Sequence, residues 1–358
     1  MLGKDQTIST RENNFDLLRL FASAQVAIVH ICDHLEINMG LFLELLKYFP
    51  GVPIFFFISG FLISQSFSRQ NNLKIFYRNR FLRIYPALLV CLIVSIFLAS
   101  LFKQIPWAST SFIGWLLAQA TIVQFYNPQF LRDFGTGVLN GSLWTIPIEI
   151  QFYIALPIIW TVARKIGVKF IYLVLIISFI LHFTFINMFY GAEDFFVKLL
   201  QVTIIPWLAF FMAGVLTAWH WGYIENIFRG KFLKWMIYFI IATIIIKYLE
   251  ILEVTGNRIN GISAIFLFLA IISAAFTYPT LSQRLLRGND ISYGLYLYHM
   301  PLVNVYLATE APRTAFGAVM VFLAAVAAAC LSWWLVERPA LNLRKIAKRS
   351  AAVDAPST

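Results

Sequence analysis

The chain has 358 residues, of which 60% are apolar, 17% aromatic and 13% charged, and its mean hydropathy is +0.77. A soluble domain carries about 25% charged residues, so this composition cannot coat a water-facing surface, and a soluble globule is excluded. The net charge of +11 is spread over short basic clusters between apolar runs, which excludes a nucleic-acid-binding domain and makes the charges reporters of topology. Cys32, Cys91 and Cys330 lie far apart, with no CxxC pair and no Cys/His cluster. They argue for neither a disulfide nor a metal site.

Runs of about 18 or more apolar residues are long enough to cross a bilayer as helices. Ten are expected to span, near 15–35, 48–68, 82–102, 143–163, 170–190, 199–219, 235–252, 262–280, 291–308 and 315–336. A weaker run at 111–125 is shorter, and length alone leaves open whether it crosses, lies flat or re-enters. Loop charge decides. With Lys4 and Arg11 cytoplasmic and 111–125 not crossing, the basic segments 69–83, 164–169, 229–234, 284–287 and 338–349 all face the cytoplasm. Lys47, Lys103, Arg132, Lys198, Arg258 and Arg313 then supply the basic charge of the outer loops. Making 111–125 a true span turns every later basic loop outward, against the positive-inside rule.

The expected fold is therefore an all-α polytopic membrane protein. It has about ten transmembrane helices, both termini cytoplasmic, and one short re-entrant or interfacial helix near 111–125. One transmembrane domain covers 1–349, followed by a short polar disordered tail at 350–358. The first run carries Asp16 and Arg19 and lacks a clear small-residue cleavage site, so it is read as a span and not a removable signal peptide. No internal repeat is visible.

Ionisable residues inside spans are costly and are functional candidates by default. The first span, FDLLRLFASAQVAIVHICDH, places Arg19 and His30 on one helical face, with His30 about 16 Å further towards the outside. Asp16 precedes Arg19 by three residues and can pair with it. Read from this segment, Arg19 is either a snorkelling anchor or a site residue, and His30 either a structural histidine or a general base. The fourth span opens GSLWTIPIEIQFY and puts Glu149 roughly 9 Å deep, matching the depth of His30, where a carboxylate can support an imidazole. The plainer alternative is a Glu bonded to Trp, Tyr or Ser with no chemistry. In FYRNRFLRIYP, Arg80 and Arg83 share a helix face if the third span begins early, and planar guanidinium forks suit phosphates; a topology signal looks the same. Lys247 has Glu250 one turn along and reads as a structural pair. His182 and His220 read as packing residues, and His299, before Pro301 in SYGLYLYHMP, as either a kink-stabilising residue or part of the site.

Together these segments resemble acyltransferase family 3, the integral-membrane acyltransferases of surface polysaccharides, other glycans and some antibiotics. FDLLRLFASAQVAIVH is similar to the family's first-helix motif, an Arg followed by ten residues and a His. PIFFFISGFLI, the Arg-x-x-Arg of RFLRIYP, SLWTIPIEIQFY, SYGLYLYHMP and the terminal VERPA follow in the family's order. The resemblance implies an acyl-CoA donor bound from the cytoplasm and an acyl group delivered to a hydroxyl at or across the membrane. By motif position it implies His30 and Glu149 as the catalytic pair and Arg19, Arg80 and Arg83 as the donor-binding arginines. Many members have Glu-Glu-Gln where this chain has Glu149, Ile150 and Gln151, so no second carboxylate is invoked.

The expected function is a membrane-bound O-acyltransferase of the bacterial cytoplasmic (inner) membrane that uses acetyl-CoA as donor substrate with no permanently bound cofactor. The acceptor is a cell-envelope glycan or lipid-linked saccharide. Other expected partners are membrane lipids and a separate extracytoplasmic acyl-accepting protein; nucleic acid is not one. The competing class is a proton-coupled transporter or flippase of an envelope precursor, in which His30, Glu149 and Arg19 form a path and no bond is made.

Overall fold

A computed structural model describes residues 12–70, 72–189, 194–249 and 255–344. The tail expected at 350–358, and Glu250 as the expected partner of Lys247, lie outside the described residues. Among the described residues every regular element is a helix. In chain order these are α1 (Phe15–His34), α2 (Leu41–Lys47), α3 (Gly51–Gln70), α4 (Leu73–Ser100), α5 (Thr110–Ala120), α6 (Thr145–Ile166), α7 (Lys169–Met188), α8 (Phe195–Gln201), α9 (Leu208–Phe228), α10 (Phe232–Tyr248), α11 (Gly261–Ala275), α12 (Leu281–Leu286), α13 (Ser292–Ala308) and α14 (Ala315–Ser332), with a π-helical turn at Trp333–Glu337. Each of the ten expected runs holds a helix. Six stretches, Phe15–His34, Leu41–Arg69, Leu73–Ser100, Gly141–Ile166, Lys169–Met188 and Ala315–Arg344, are long and apolar enough to cross a membrane.

Three expected elements differ in detail, one of them the 82–102 run, whose helix α4 begins already at Leu73. The run expected at 199–219 is a helix only from Leu208. Pro206 has no N–H to continue a helix from α8, so the intervening backbone turns: the Ile204 N–H donates to Gln151 Oε1 at 2.8 Å and the Gln151 amide donates to the Val202 carbonyl at 3.1 Å. The weak run at 111–125 is an 11-residue helix started by Ser109, whose hydroxyl accepts the Phe112 N–H. At 1.5 Å per residue it is roughly 16 Å long, about half the thickness of a hydrocarbon core.

The chain gathers into two compact units, interleaved in sequence. The first holds the residues up to Val29, Gly40–Arg69 and Ile148–Ser292. Its interior is aromatic: Phe57 stacks on Phe268 and Phe152 on Phe211, with ring centroids 4.6 and 4.3 Å apart. Here α3 and α9 touch backbone to backbone. A Cβ built on Gly60 would lie 2.0 Å from the Phe211 carbonyl oxygen, and one on Gly214 2.1 Å from that of Phe57. Small residues at such crossings are how helices associate where no hydrophobic force separates them from lipid. His182 sits between the carbonyls of Pro206 and Ile259, and His220 stacks on Tyr172, both as packing residues. Lys247 donates to the Tyr48 hydroxyl at 2.7 Å.

The second unit holds His30–Met39, Gln70–Pro147 and the chain from Tyr293 onward. Leu92 and Ile96 of α4 pack with Phe112 and Trp115 of α5 and with Leu131 and Phe134, so α5 buries its apolar face against the protein. The last turn of α1, through Ile31 and Leu35, packs with Val303, Ala318 and Val321 of α13 and α14. Pro301 shapes the middle of α13. It has no N–H to give the Leu297 carbonyl, and the Asn140 amide donates to that oxygen instead at 2.8 Å. Ser142 Oγ donates to the Tyr296 carbonyl, and the Tyr296 hydroxyl donates to the Ser142 carbonyl at 2.7 Å. About two turns on, the Asn304 amide donates to the carbonyls of Val138 and Leu139 while its Oδ1 accepts the Thr136 N–H. The segment 136–142 is thus fastened along α13 by side chain to backbone bonds.

Overpacking at the α3–α9 crossing is expected to be destabilising by about 1–3 kcal/mol. Gly60→Ala should lower the thermal midpoint of the detergent-solubilised protein. Gly114→Ala in α5, where a new Cβ meets nothing within 4 Å, should leave it level or raise it slightly. Equal midpoints for the two variants would show that the close approach is not needed.

Candidate active site

The site is built from the first span outward. Asn14, 3% exposed, precedes α1 and donates to the carbonyls of Ala274, Thr277 and Tyr278, while its Oδ1 accepts the Ser282 N–H. These bonds tie the start of α1 to the end of α11 and the start of α12. Five residues on, Arg19 Nη1 donates to Asp290 Oδ2 at 2.8 Å, whereas Asp16, the partner expected from spacing, is 3.9 Å away. The other oxygen of Asp290, Oδ1, accepts from the Ser292 N–H and hydroxyl, an Asx turn that starts α13. One carboxylate therefore both starts α13 and neutralises the first-span arginine.

His30 meets a partner that helical spacing could not reveal. Its Nδ1 lies 3.0 Å from Nε2 of His299 on α13. The His299 ring is 0% exposed, is held edge-on to Tyr296, and has its Nδ1 3.2 Å from the Leu295 carbonyl oxygen. His30 is only partly buried, and among the described residues nothing hydrogen-bonds its Nε2. The histidine left open by the sequence thus lies against the candidate residue His30.

Arg80 and Arg83 lie on α4, which begins at Leu73 and so includes the basic segment in the helix. At three residues' separation they share a face. The Arg80 guanidinium sits over the Phe76 ring at 5.7 Å and that of Arg83 over Tyr293 at 5.8 Å. Arg83 Nη1 is 3.9 Å from Oε2 of Glu337, a carboxylate 2% exposed whose Oε1 accepts the Ser332 hydroxyl. Glu337 closes the π-helical turn before Pro339, where the missing proline N–H removes the bond that would keep the α-helical register. Gly294 leaves room for this carboxylate: a Cβ there would lie 3.1 Å from Glu337 Oε1 and 2.9 Å from Ala329. In the second unit α13 accordingly meets Arg83 in its first turn, through Tyr293, and His30 six residues later, through His299, a rise of about 9 Å.

Glu149, on α6, is half-buried and its Oε1 accepts the hydroxyl of Tyr153 one turn along. Arg19 and Glu149 belong to the first unit; His30, Arg80 and Arg83 belong to the second.

The family model described as an acyltransferase domain matches residues 12–338. The chain belongs to acyltransferase family 3. It is 32% identical to nodulation protein 10 of Rhizobium leguminosarum bv. viciae over 94% of this chain and 95% of that protein. It is 25% identical to the O-acetyl transferase of Shigella phage Sf6 over 92% and 96% of the two chains. A shorter match, 32% over 30% of this chain and 19% of the relative, joins it to the peptidoglycan O-acetyltransferase OatA of Listeria monocytogenes. No solved structure matches. By family the chain is a membrane acyltransferase.

Two partners of the expected residues carry no role in the sequence reading, Asp290 for Arg19 and Glu337 for Arg83, and a third, His299 for His30, was left open between a kink-stabilising residue and part of the site. His299 had a signal in being ionisable within an apolar run, and Glu337 in lying in the terminal VERPA segment. Asp290 looks like an ordinary loop acid. Replacing it separates its two roles. Asp290→Asn can keep the turn but loses the charge facing Arg19, and Asp290→Ala loses both. A hydrogen bond to a charged group contributes about 1.5–3 kcal/mol, and a neutral one about 0.5–1.5. Arg19 keeps some solvent exposure, so the charged loss should fall near the lower end. Thermal midpoints should fall in the order native, Asn, Ala; an Ala variant as stable as the native protein would remove Asp290 from the account.

Proposed function

We propose that this membrane acyltransferase is an O-acetyltransferase of the bacterial cytoplasmic (inner) membrane. It moves acetyl from cytoplasmic acetyl-CoA to a hydroxyl of a cell-envelope glycan or lipid-linked saccharide. The observation that carries the reading is His30, an imidazole inside an apolar span with one nitrogen engaged by a buried partner and the other unbonded by any described residue. An imidazole so arranged suits proton abstraction from an acceptor hydroxyl. The names of two relatives, an O-acetyl transferase and a peptidoglycan O-acetyltransferase, support acetyl as the group and a glycan as the acceptor.

Arg80 and Arg83 are assigned to the CoA phosphates. Planar guanidinium forks suit phosphates bidentately, and the two arginines share one face of α4. Arg19 spends Nη1 on Asp290 and offers its remaining N–H groups to the donor. Glu149, bonded to the Tyr153 hydroxyl, is the second acid–base group.

Purified protein given labelled acetyl-CoA and envelope glycans of its host should transfer label to glycan. His30→Ala should lower turnover by about 10²–10⁴-fold, the usual contribution of general acid–base catalysis, while its thermal midpoint stays close to native. Near-native turnover without His30 would sink the mechanism, and absence of transfer to every glycan tried would sink the acceptor class.

The accompanying topology has ten spans, both termini cytoplasmic, and α5 entering from and returning to the outer side, as the length of α5 and the loop charges support. In a cysteine-free background, single cysteines at the exposed positions Ala108 and Gln129 should react with an impermeant thiol reagent in intact cells, and one at exposed Lys165 should not. Labelling at Lys165, or protection at Gln129, overturns this arrangement.

A further inference from the structure

A neutral imidazole has one N–H and one bare nitrogen, and the carbon skeleton does not say which is which. For His30 and His299 the surroundings do. His299 Nδ1 lies 3.2 Å from the Leu295 carbonyl oxygen. A carbonyl oxygen can only accept, so His299 carries its proton on Nδ1 and presents a lone pair at Nε2. His30 Nδ1 stands 3.0 Å from that lone pair; two bare nitrogens would repel there, so His30 Nδ1 bears the proton and donates it. Its own lone pair is thereby confined to Nε2, the nitrogen that no described residue occupies. The chain of bonds runs one way, from His30 Nδ1–H to His299 Nε2 and from His299 Nδ1–H to the Leu295 carbonyl.

From this geometry we infer that His299 is a positioning residue for the transfer reaction, holding His30 in the one tautomer and ring orientation that aims a basic Nε2 at the acceptor hydroxyl. The inference rests on the reading of His30 as the general base. In the step it serves, His30 Nε2 takes the hydroxyl proton as the acceptor oxygen bonds to the thioester carbonyl carbon. The carbon–sulfur bond then breaks, and the sulfur leaves with the proton held at Nε2, giving the ester and free CoA thiol. Throughout, Nδ1 keeps its proton and its bond to His299. Being 0% exposed, His299 touches no substrate and acts through His30 alone. Its own position is secured because α13 is fastened to the 136–142 segment on either side of it, at Leu297 and at Asn304.

Two amide substitutions separate the role of the ring nitrogen from the role of a polar residue in the core. A glutamine at 299 can bring a carbonyl oxygen near the place of Nε2 and accept from His30. An asparagine ends near the place of Nδ1 and cannot reach. His299→Gln is expected to keep kcat within about tenfold of native and His299→Asn to lose about 10²-fold or more, the scale of a lost acid–base contribution, with the KM for acetyl-CoA unchanged in both. Equal kcat in the two variants, or losses that follow their thermal midpoints, overturns the inference. A direct reading on the native protein comes from ¹⁵N-histidine labelling, with the His30 signals assigned by their absence in His30→Gln. An N–H at Nδ1 and a bare Nε2 are expected, and the opposite tautomer overturns the inference. The base reading fails separately: full activity in His30→Ala removes it, whereas an inactive His30→Ala beside a fully active His299→Asn removes only the positioning role.

Discussion

A carbonyl that loses its donor inside a packed interior has no water to turn to, and must be answered by the protein. Pro301 creates such a carbonyl at Leu297, which is 0% exposed, and much of the second unit follows from the answer. The Asn140 amide supplies the missing donor, and Asn140 in turn holds the Ser142 hydroxyl on its Oδ1. Gly135, with φ of +56, adopts a left-handed conformation beside Asn304, where a side chain would collide with the Asn304 Oδ1 at 2.3 Å. The connection before α6 is thus written onto α13 at several points. What this rigidity secures is the His299 ring, two residues from the proline and fully enclosed, and through it the orientation of His30.

Charge obeys the same constraint. A cation at or within a span is costly unless paired, and Arg19 and Arg83 each have a carboxylate that is itself almost wholly buried, Asp290 and Glu337. At 2.8 Å, with its acid also starting α13, the Arg19–Asp290 bond is part of the architecture. The Arg83–Glu337 pair lies beside an aromatic face and a π-helical turn, where a buried carboxylate compensates the charge of the guanidinium.

The long helices were legible because each announces itself by an extended run of apolar residues, whereas the short α2, α8 and α12 do not. The displaced start of α9 shows the limit of that signal: the 199–219 run is largely apolar, yet Pro206 inside it delays α9 to Leu208, and hydropathy does not register a missing N–H. The residues of the candidate site were legible by their expense, since Arg19, His30 and Glu149 stand where ionisable groups are seldom tolerated. Their partners were not. His30 and His299 are 269 residues apart in sequence and Arg19 and Asp290 are 271 apart, and helical periodicity relates only neighbours on one helix. Asn140, Ser142 and Asn304 carried no signal at all, because a neutral polar residue looks the same in a sequence whether it faces water or latches two helices.

The choice of histidine at position 299 has a physical logic of its own. A carboxylate is the more common orienter of a catalytic imidazole and stabilises its charged form better. Here the orienting group lies 0% exposed inside α13, where a carboxylate would bring a second charge needing its own partners at a cost of several kcal/mol. A neutral imidazole supplies the single acceptor that fixes the tautomer and meets its remaining N–H obligation with a carbonyl of its own helix, one turn back. It trades some stabilisation of the imidazolium for a partner that can be buried without charge. Where the partner must be buried and one nitrogen of His30 kept open, that exchange favours the neutral ring.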